Sequence, residues 1–285
     1  MEQVVDRAWY VLGEEGRSFE EEWGKWLEIN HSIGVSSGTE ALHLSAMGVG
    51  IEFGDEVIVP ANTCVPTISA LRSAGASIVL ADVDDETLTI DPDLLKNALT
   101  LRTKAIVPVH LYGHPCDMEP LQAFAQQQSL VIIEDCAQAH GARYKGDLCG
   151  TLGDVAAFSF YPSKNLGAFG DAGAVVTKDN ALAQRIRQLR VYGEKERYVH
   201  EIEGINSRLD EVQAAVLRVK LPLLTQWHQE RRRIAALYNE LITHPAIRKP
   251  FEADWAESCY HLYVIRSTKR DALQAYLAAQ GIGTL

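Results

Sequence analysis

Lys164 sits in the segment Phe158-Ser159-Phe160-Tyr161-Pro162-Ser163-Lys164-Asn165-Leu166-Gly167, and Asp135 closes the apolar run Leu130-Val131-Ile132-Ile133-Glu134-Asp135. Lysines are nearly always solvated, so one set among small and aromatic residues after a buried-strand pattern stands out. An amine in that setting can hold an aldehyde as a Schiff base. A carboxylate can keep a pyridine nitrogen protonated, so that the ring withdraws electrons from a carbanion beside the substrate's amine. Together the two residues predict a site for pyridoxal 5'-phosphate. Taken singly, each has an ordinary reading, as a strand-end cap and a surface lysine.

Other residues fit the same chemistry. Val35-Ser36-Ser37-Gly38-Thr39-Glu40-Ala41-Leu42 places small and hydroxyl residues at a predicted helix start. Free backbone N–H groups and the positive helix end make such a place a phosphate cradle, although a plain N-cap would look the same. Ser159 can offer a hydroxyl to that phosphate or simply pack in its strand. Gln138 can reach the cofactor ring or its phenolic oxygen. His140 and His110 either tune the aspartate or serve as structural histidines.

These residues need a scaffold that brings strand ends together. β-rich runs at Glu56 to Val59, Ser77 to Leu80, Ala105 to Val109, Leu130 to Ile133, Val155 to Phe160 and Ala174 to Thr177 alternate with helical patterns at Glu40 to Met47, Pro92 to Leu99 and Glu119 to Gln127. That alternation predicts an α/β domain with a mostly parallel sheet, whose ligands gather at the carboxyl ends of the strands, where His110, Asp135 and Ser159 fall. From Ser207 the pattern turns helical, with Ser207 and Asp210 as a capping-box-like start. Pro222 opens a second helix that runs to about Ile242. A strand at His261 to Arg266 and a helix at Arg270 to Gln280 then begin a smaller α+β unit. The predicted division is a large cofactor-binding domain over 1–221, followed by a connecting helix and incomplete small domain over 222–285.

With 285 residues, 47% hydrophobic and 23% charged, the chain has the balance of a soluble globular protein. Its net charge of −11 argues against a nucleic-acid partner. The basic run Arg231-Arg232-Arg233 reads as a solvated helix face, with Leu224, Trp227, Ile234, Leu237 and Leu241 on the apolar stripe. Five cysteines without CxxC spacing form neither a disulfide framework nor a metal motif, which favours the cytoplasm. The sequence contains neither a membrane-length apolar run nor a signal-peptide layout. GxGxxG, GxxxxGK[ST] and HExxH are missing too, so Rossmann dehydrogenase, P-loop and zincin readings lose their main support, and no metal site is expected.

Four segments, in order, resemble the DegT/DnrJ/EryC1/StrS family of sugar aminotransferases, which are fold-type-I pyridoxal phosphate enzymes. They are Ser36 to Leu42, Glu134-Asp135-Cys136-Ala137-Gln138-Ala139-His140-Gly141, Phe158 to Gly167 and Gly204-Ile205-Asn206-Ser207-Arg208-Leu209-Asp210. The resemblance implies that Lys164 is the Schiff-base lysine, Asp135 the pyridine partner and Gln138 a ring contact, with Gly38, Thr39 and Ser159 on the phosphate. It also implies that Asn206 reaches the phosphate of a partner subunit, hence a homodimer with shared sites.

The implied reaction moves an amino group from an amino acid, glutamate in the family, to a nucleotide-linked keto-6-deoxysugar. Leu189-Arg190-Val191-Tyr192-Gly193 and Arg218-Val219-Lys220-Leu221 are more similar to members that aminate carbon 3 of dTDP-sugars than to those that aminate carbon 4. The alternatives are a pyridoxamine-dependent sugar dehydratase, whose relatives replace the lysine, and a cofactor-binding regulator without turnover. Two departures are expected to matter. Cys64 stands where many members stack an aromatic on the ring, and reads as a small packing residue or a reactive thiol. Against the family, the chain also reads as shortened at both ends.

Overall fold

The computed structural model describes residues 1–285. Strands β1 (His31–Val35), β2 (Glu56–Pro60), β3 (Ser77–Ala81), β4 (Thr103–Ile106), β5 (Val131–Asp135), β6 (Val155–Ser159) and β7 (Gly173–Thr177) form one seven-stranded sheet in the order β1-β7-β6-β5-β4-β2-β3. All pairs from β6 across to β3 are parallel, and β7 alone is reversed, antiparallel to both β6 and β1. Helices α1 (Glu2–Arg7), α2 (Glu14–Leu27), α3 (Gly38–Gly48), α4 (Val65–Ser73), α5 (Leu95–Ala98), α6 (Met118–Gln128), α7 (Asn180–Leu189), α8 (Glu211–Lys220), α9 (Leu224–Leu241) and α10 (Arg270–Ala279) complete the chain. None is long and apolar enough to cross a membrane.

The strands read as continuous apolar runs because helices cover both faces of the sheet. Side chains alternate between the faces with period two. Val57, Ile133 and Ala157 pack on one side with Leu44, Leu71 and Ile186 from α3, α4 and α7. On the opposite side Ile58 and Ile132 meet Leu121 of α6, while Phe158 and Phe160 meet Phe19 and Trp23 of α2. The Trp23 ring stands edge-on to both phenylalanines, with centroids 5.1 and 5.4 Å away, an arrangement that adds to area burial.

Several expectations change at the segment ends. Pro92–Leu94 is a 3₁₀ turn leading into the four-residue α5, where a single longer helix was expected. Ser207 does not cap α8, whose N-cap is Asp210 with no side-chain bond. It bonds instead to the backbone N–H and hydroxyl of Ser36. Glu211, the first residue of α8, accepts the N–H groups of Gly13, Glu15 and Gly16 at 2.8–2.9 Å and thereby caps α2 across 195 or more residues of sequence.

His261 to Arg266 is not a strand. Apart from one bridge between Arg248 and Arg266, its backbone bonds go elsewhere: Leu262 N–H donates to the Tyr112 carbonyl and the His261 carbonyl accepts from Arg231. The arginine run on α9 is only partly solvated. Arg231 donates to the carbonyls of Tyr260 and His261, Arg232 to the Ser258 carbonyl and Glu252, and Arg233 pairs with Glu230. Of the expected apolar stripe, Leu224 is buried and Trp227 packs against the core, but Ile234, Leu237 and Leu241 are exposed.

Candidate active site

The carboxyl ends of β1, β2, β5 and β6 open into one cavity of about 260 Å³, whose lining includes Ser37, Gly38, Thr39, Cys64, Thr67, Asp135, Gln138, Ser159 and Lys164. Six of the seven residues singled out in the sequence therefore meet. Asn206 does not, being exposed and bridged to Val191 away from this cavity. His110 is fully buried outside it. Its Nδ1 accepts the Cys116 N–H, so Nε2 carries the proton and donates to Glu134 at 2.9 Å.

Glu134 also accepts N–H groups of Gly150, Leu152 and Gly153. Complete burial would raise its pKa, but the bonds from His110 and these backbone donors hold it below the usual carboxylate range. His110, Glu134 and Cys136 lie close enough to share a metal. Both Glu134 oxygens already have two donors each, so the group is a filled hydrogen-bond network. His140 does not tune the aspartate, because neither ring nitrogen has a partner. Its ring lies among Trp23, Phe158 and Phe160, and burial, aided by the Lys164 charge, drives its pKa far down.

Asp135 is held from two sides: Thr67 Oγ1 donates to Oδ2 at 2.8 Å and the Ala137 N–H to Oδ1 at 3.1 Å. Burial raises its pKa, and these bonds together with the nearby Lys164 charge only partly offset that. Lys164 is shifted the opposite way. Burial lowers its pKa despite the nearby Asp135 and Cys64. Both groups are thus biased toward neutrality, so desolvation outweighs their mutual attraction. A cationic ring nitrogen near Asp135 would restore the missing partner.

Gln138 has a fixed orientation. The Tyr112 N–H donates to its Oε1 at 2.7 Å, which turns the amide NH₂ toward Cys64, 3.7 Å away, on the cavity wall. Tyr112 adopts a left-handed backbone (φ 61°) to present that N–H, a strain of the sort that collects at functional sites. Cys64 is the one exposed cysteine and stands at the N-cap of α4, where its side chain makes no capping bond to the helix.

The α3 N-terminus has room for a phosphate. Ser37 Oγ caps the Glu40 N–H, leaving the Gly38 and Thr39 N–H groups without helical partners. A Cβ on Gly38 would lie 2.4 Å from Ser159 Cβ, and one on Gly173 would lie 2.3 Å from the Ser37 carbonyl. The loop is thus pressed between β6 and β7, with its open side toward the cavity. An anion-receiving helix start, an amine and a carboxylate around one cavity fit pyridoxal phosphate in size and donor chemistry. Gly38→Ala should weaken pyridoxal phosphate binding by about 5- to 150-fold, the effect of roughly 1–3 kcal/mol of overpacking. Absorbance titration of the cofactor-free protein would measure it.

Thr67, Tyr112 and Asn165 were not anticipated as contributors. Thr67 and Tyr112 act through residues that were. Asn165, next to Lys164, is buried, and its side chain bonds to the Cys259 carbonyl and the His261 ring.

Comparison with known proteins gives a consistent result. The DegT/DnrJ/EryC1/StrS aminotransferase family matches residues 1–285. The chain is 49% identical over 284 residues to the erythromycin biosynthesis sensory transduction protein EryC1 of Saccharopolyspora erythraea, a match covering 99% of this chain and 78% of that protein. It is 48% identical over 284 residues to dTDP-3-amino-3,4,6-trideoxy-alpha-D-glucose transaminase of Streptomyces venezuelae, covering 99% and 75%. Among solved structures, S. venezuelae DesV in complex with ketimine intermediate superimposes with a TM-score of 0.97 at 48% identity, covering 100% of this chain and 77% of that one.

Proposed function

The chain belongs to the DegT/DnrJ/EryC1/StrS aminotransferase family, and from that premise we propose that it transfers an amino group from L-glutamate to carbon 3 of a dTDP-linked 3-keto-6-deoxyhexose. It is a pyridoxal phosphate-dependent sugar aminotransferase of fold type I. The observation that carries the reading is Lys164 and Asp135 facing one cavity whose end wall is the α3 N-terminus. The dTDP-sugar assignment is supported by relatives named as dTDP-3-amino-sugar transaminases, at 46–48% identity.

Gly38, Thr39 and Ser159 would hold the phosphate, Asp135 the ring nitrogen and Gln138 the phenolic oxygen, through its NH₂. When bound, the cofactor supplies an electron-withdrawing ring that takes up the charge left when the donor's α-proton departs. Lys164 Nζ carries that proton. It must be neutral to accept it, and burial lowers its pKa in that direction. Asp135 must be ionised to oppose a ring N–H, and its bonds from Thr67 and Ala137 stabilise the charged form. Cys64 offers no aromatic face, so this wall of the cavity presents a thiol and the α4 start.

The same reading takes 1–221 as the cofactor-binding domain and 222–285 as the connecting helix and a smaller C-terminal unit. It places the protein in the cytoplasm, where five free thiols are stable. It also makes the working unit a homodimer in which Asn206 completes the neighbour's phosphate site. Support comes from the exposure of Asn206 outside its own cavity and from exposed apolar Tyr161, which lines that cavity, and Val65, between the lining residues Cys64 and Pro66.

Mixing poorly active Lys164→Ala and Asn206→Ala chains should restore activity, since a mixed dimer concentrates both defects in one site. A stable mixed dimer without recovery would contradict sharing. The substrate reading is tested by incubating the protein with L-glutamate and a panel of nucleotide keto-sugars and weighing the products. An amino-sugar from the dTDP-3-keto compound is expected, whereas turnover of the 4-keto isomer alone would overturn the carbon-3 assignment.

A further inference from the structure

We propose that His261 is a positioning residue for Lys164, acting through Asn165. The proposal rests on the lysine's role given above. Asn165 follows Lys164 in a tight turn, where Lys164 N–H donates to the Tyr161 carbonyl and Ala168 N–H to the Phe160 carbonyl. The Asn165 side chain is its tie to the C-terminal segment, with Nδ2 donating to the Cys259 carbonyl at 3.2 Å and Oδ1 3.0 Å from His261 Nδ1.

The amide cannot be reversed, since that would set two carbonyl oxygens against each other at Cys259. Oδ1 is therefore an acceptor, and His261 Nδ1 must carry the proton. That is a defined tautomer, with Nε2 bare. It is stable at neutral pH because burial, with the Lys164 and Arg231 charges, lowers the His261 pKa to about 4.

The segment bearing His261 is itself fixed. Arg231 on α9 bonds the carbonyls of Tyr260 and His261, Cys259 N–H donates to Gly113, and Cys259 Sγ reaches the Gln138 carbonyl at 3.3 Å. Tyr260 takes a left-handed backbone (φ 44°) between the two residues that grip Asn165. One post thus touches both the Lys164 turn and the Gln138 turn. The groups facing Lys164 are Asp135 and Cys64 from the cavity wall, with His140 and His261 also sensing its charge. Its lowered pKa comes first from burial, and burial depends on the turn staying docked.

Two measurements on the 285-residue chain test this. Competitive amine labelling across pH reads the Lys164 pKa without cofactor or turnover. His261→Leu should move it upward, toward the ordinary lysine value of about 10.4, while His261→Asn, whose Nδ2 replaces the ring Nδ1–H, should leave it near wild type. An unmoved pKa in His261→Leu, or an equal shift in His261→Asn, overturns the proposal. If the leucine variant does not fold, ¹⁵N-histidine NMR of the unmodified protein decides: the Nδ1–H tautomer is expected at His261, and the Nε2–H tautomer overturns the proposal. Either result stands whether or not the sugar-aminotransferase reading survives, because neither readout needs substrate.

Discussion

Lys164→Ala is expected to abolish covalent retention of pyridoxal phosphate and to cut transamination by about 10²–10⁴-fold or more, the usual contribution of a positioned acid–base group. The fold should tolerate the change. Nζ has no hydrogen-bond partner or ion pair within the protein, and burial already disfavours its charged form. The same shift sets the pH dependence in the wild type. A lysine with a lowered pKa becomes neutral at lower pH than a free one, so the rate should climb with pH through a midpoint below the usual lysine value. Steady-state rates of both proteins across pH, with folding checked by circular dichroism, would measure this. A mutant retaining more than about a tenth of wild-type turnover would remove Lys164 from the reaction.

Asp135→Asn is the second large effect, and its sign differs between stability and activity. Because burial raises the Asp135 pKa, the folded chain without cofactor binds this proton more tightly than the unfolded chain. Stability therefore falls as pH rises through the ordinary aspartate range toward the raised value, and stays lowered above it. Asparagine removes that cost. It keeps an oxygen for the Ala137 N–H, and the Thr67 hydroxyl can rotate to accept its NH₂. The cofactor-free mutant should thus melt at the same temperature as wild type or higher at neutral pH. Turnover should nonetheless fall at least about 10²-fold, the scale of removing one preorganised electrostatic partner. Near-normal turnover would remove the carboxylate from the mechanism.

Asp135, Ser159, Gly38 and Thr39 were legible as neighbours because they close strands or open a helix, and Gln138 and Lys164 because they follow those strand ends within a few residues; parallel strands deliver their carboxyl ends to one edge. Strand β1, with intermediate or buried residues throughout, passed unnoticed because Ile33 and Val35 are its sole large apolar side chains. The reversal of β7 has no local signature at all, since an isolated apolar run carries no direction.

The site's supporting residues were hidden for a different reason. Thr67 acts on Asp135 across 68 positions and His261 on Asn165 across 96, and such long-range pairs leave no periodic trace in one sequence. His261 to Arg266 has the β-branched and aromatic content of a strand, yet its backbone is claimed by Arg231 and the Tyr112 loop. That tertiary claim overrides propensity. Arg231 and Arg232 looked like solvated charges because helical spacing shows which face a residue is on, not what crosses that face.

The most direct test of the central claim is to load the protein with pyridoxal phosphate, reduce it with borohydride and map the modified peptide by mass spectrometry. A single adduct on the peptide containing Lys164, lost in Lys164→Ala and retained in Asp135→Asn, is the predicted result. An adduct of comparable yield on any other lysine, persisting in Lys164→Ala, would contradict it.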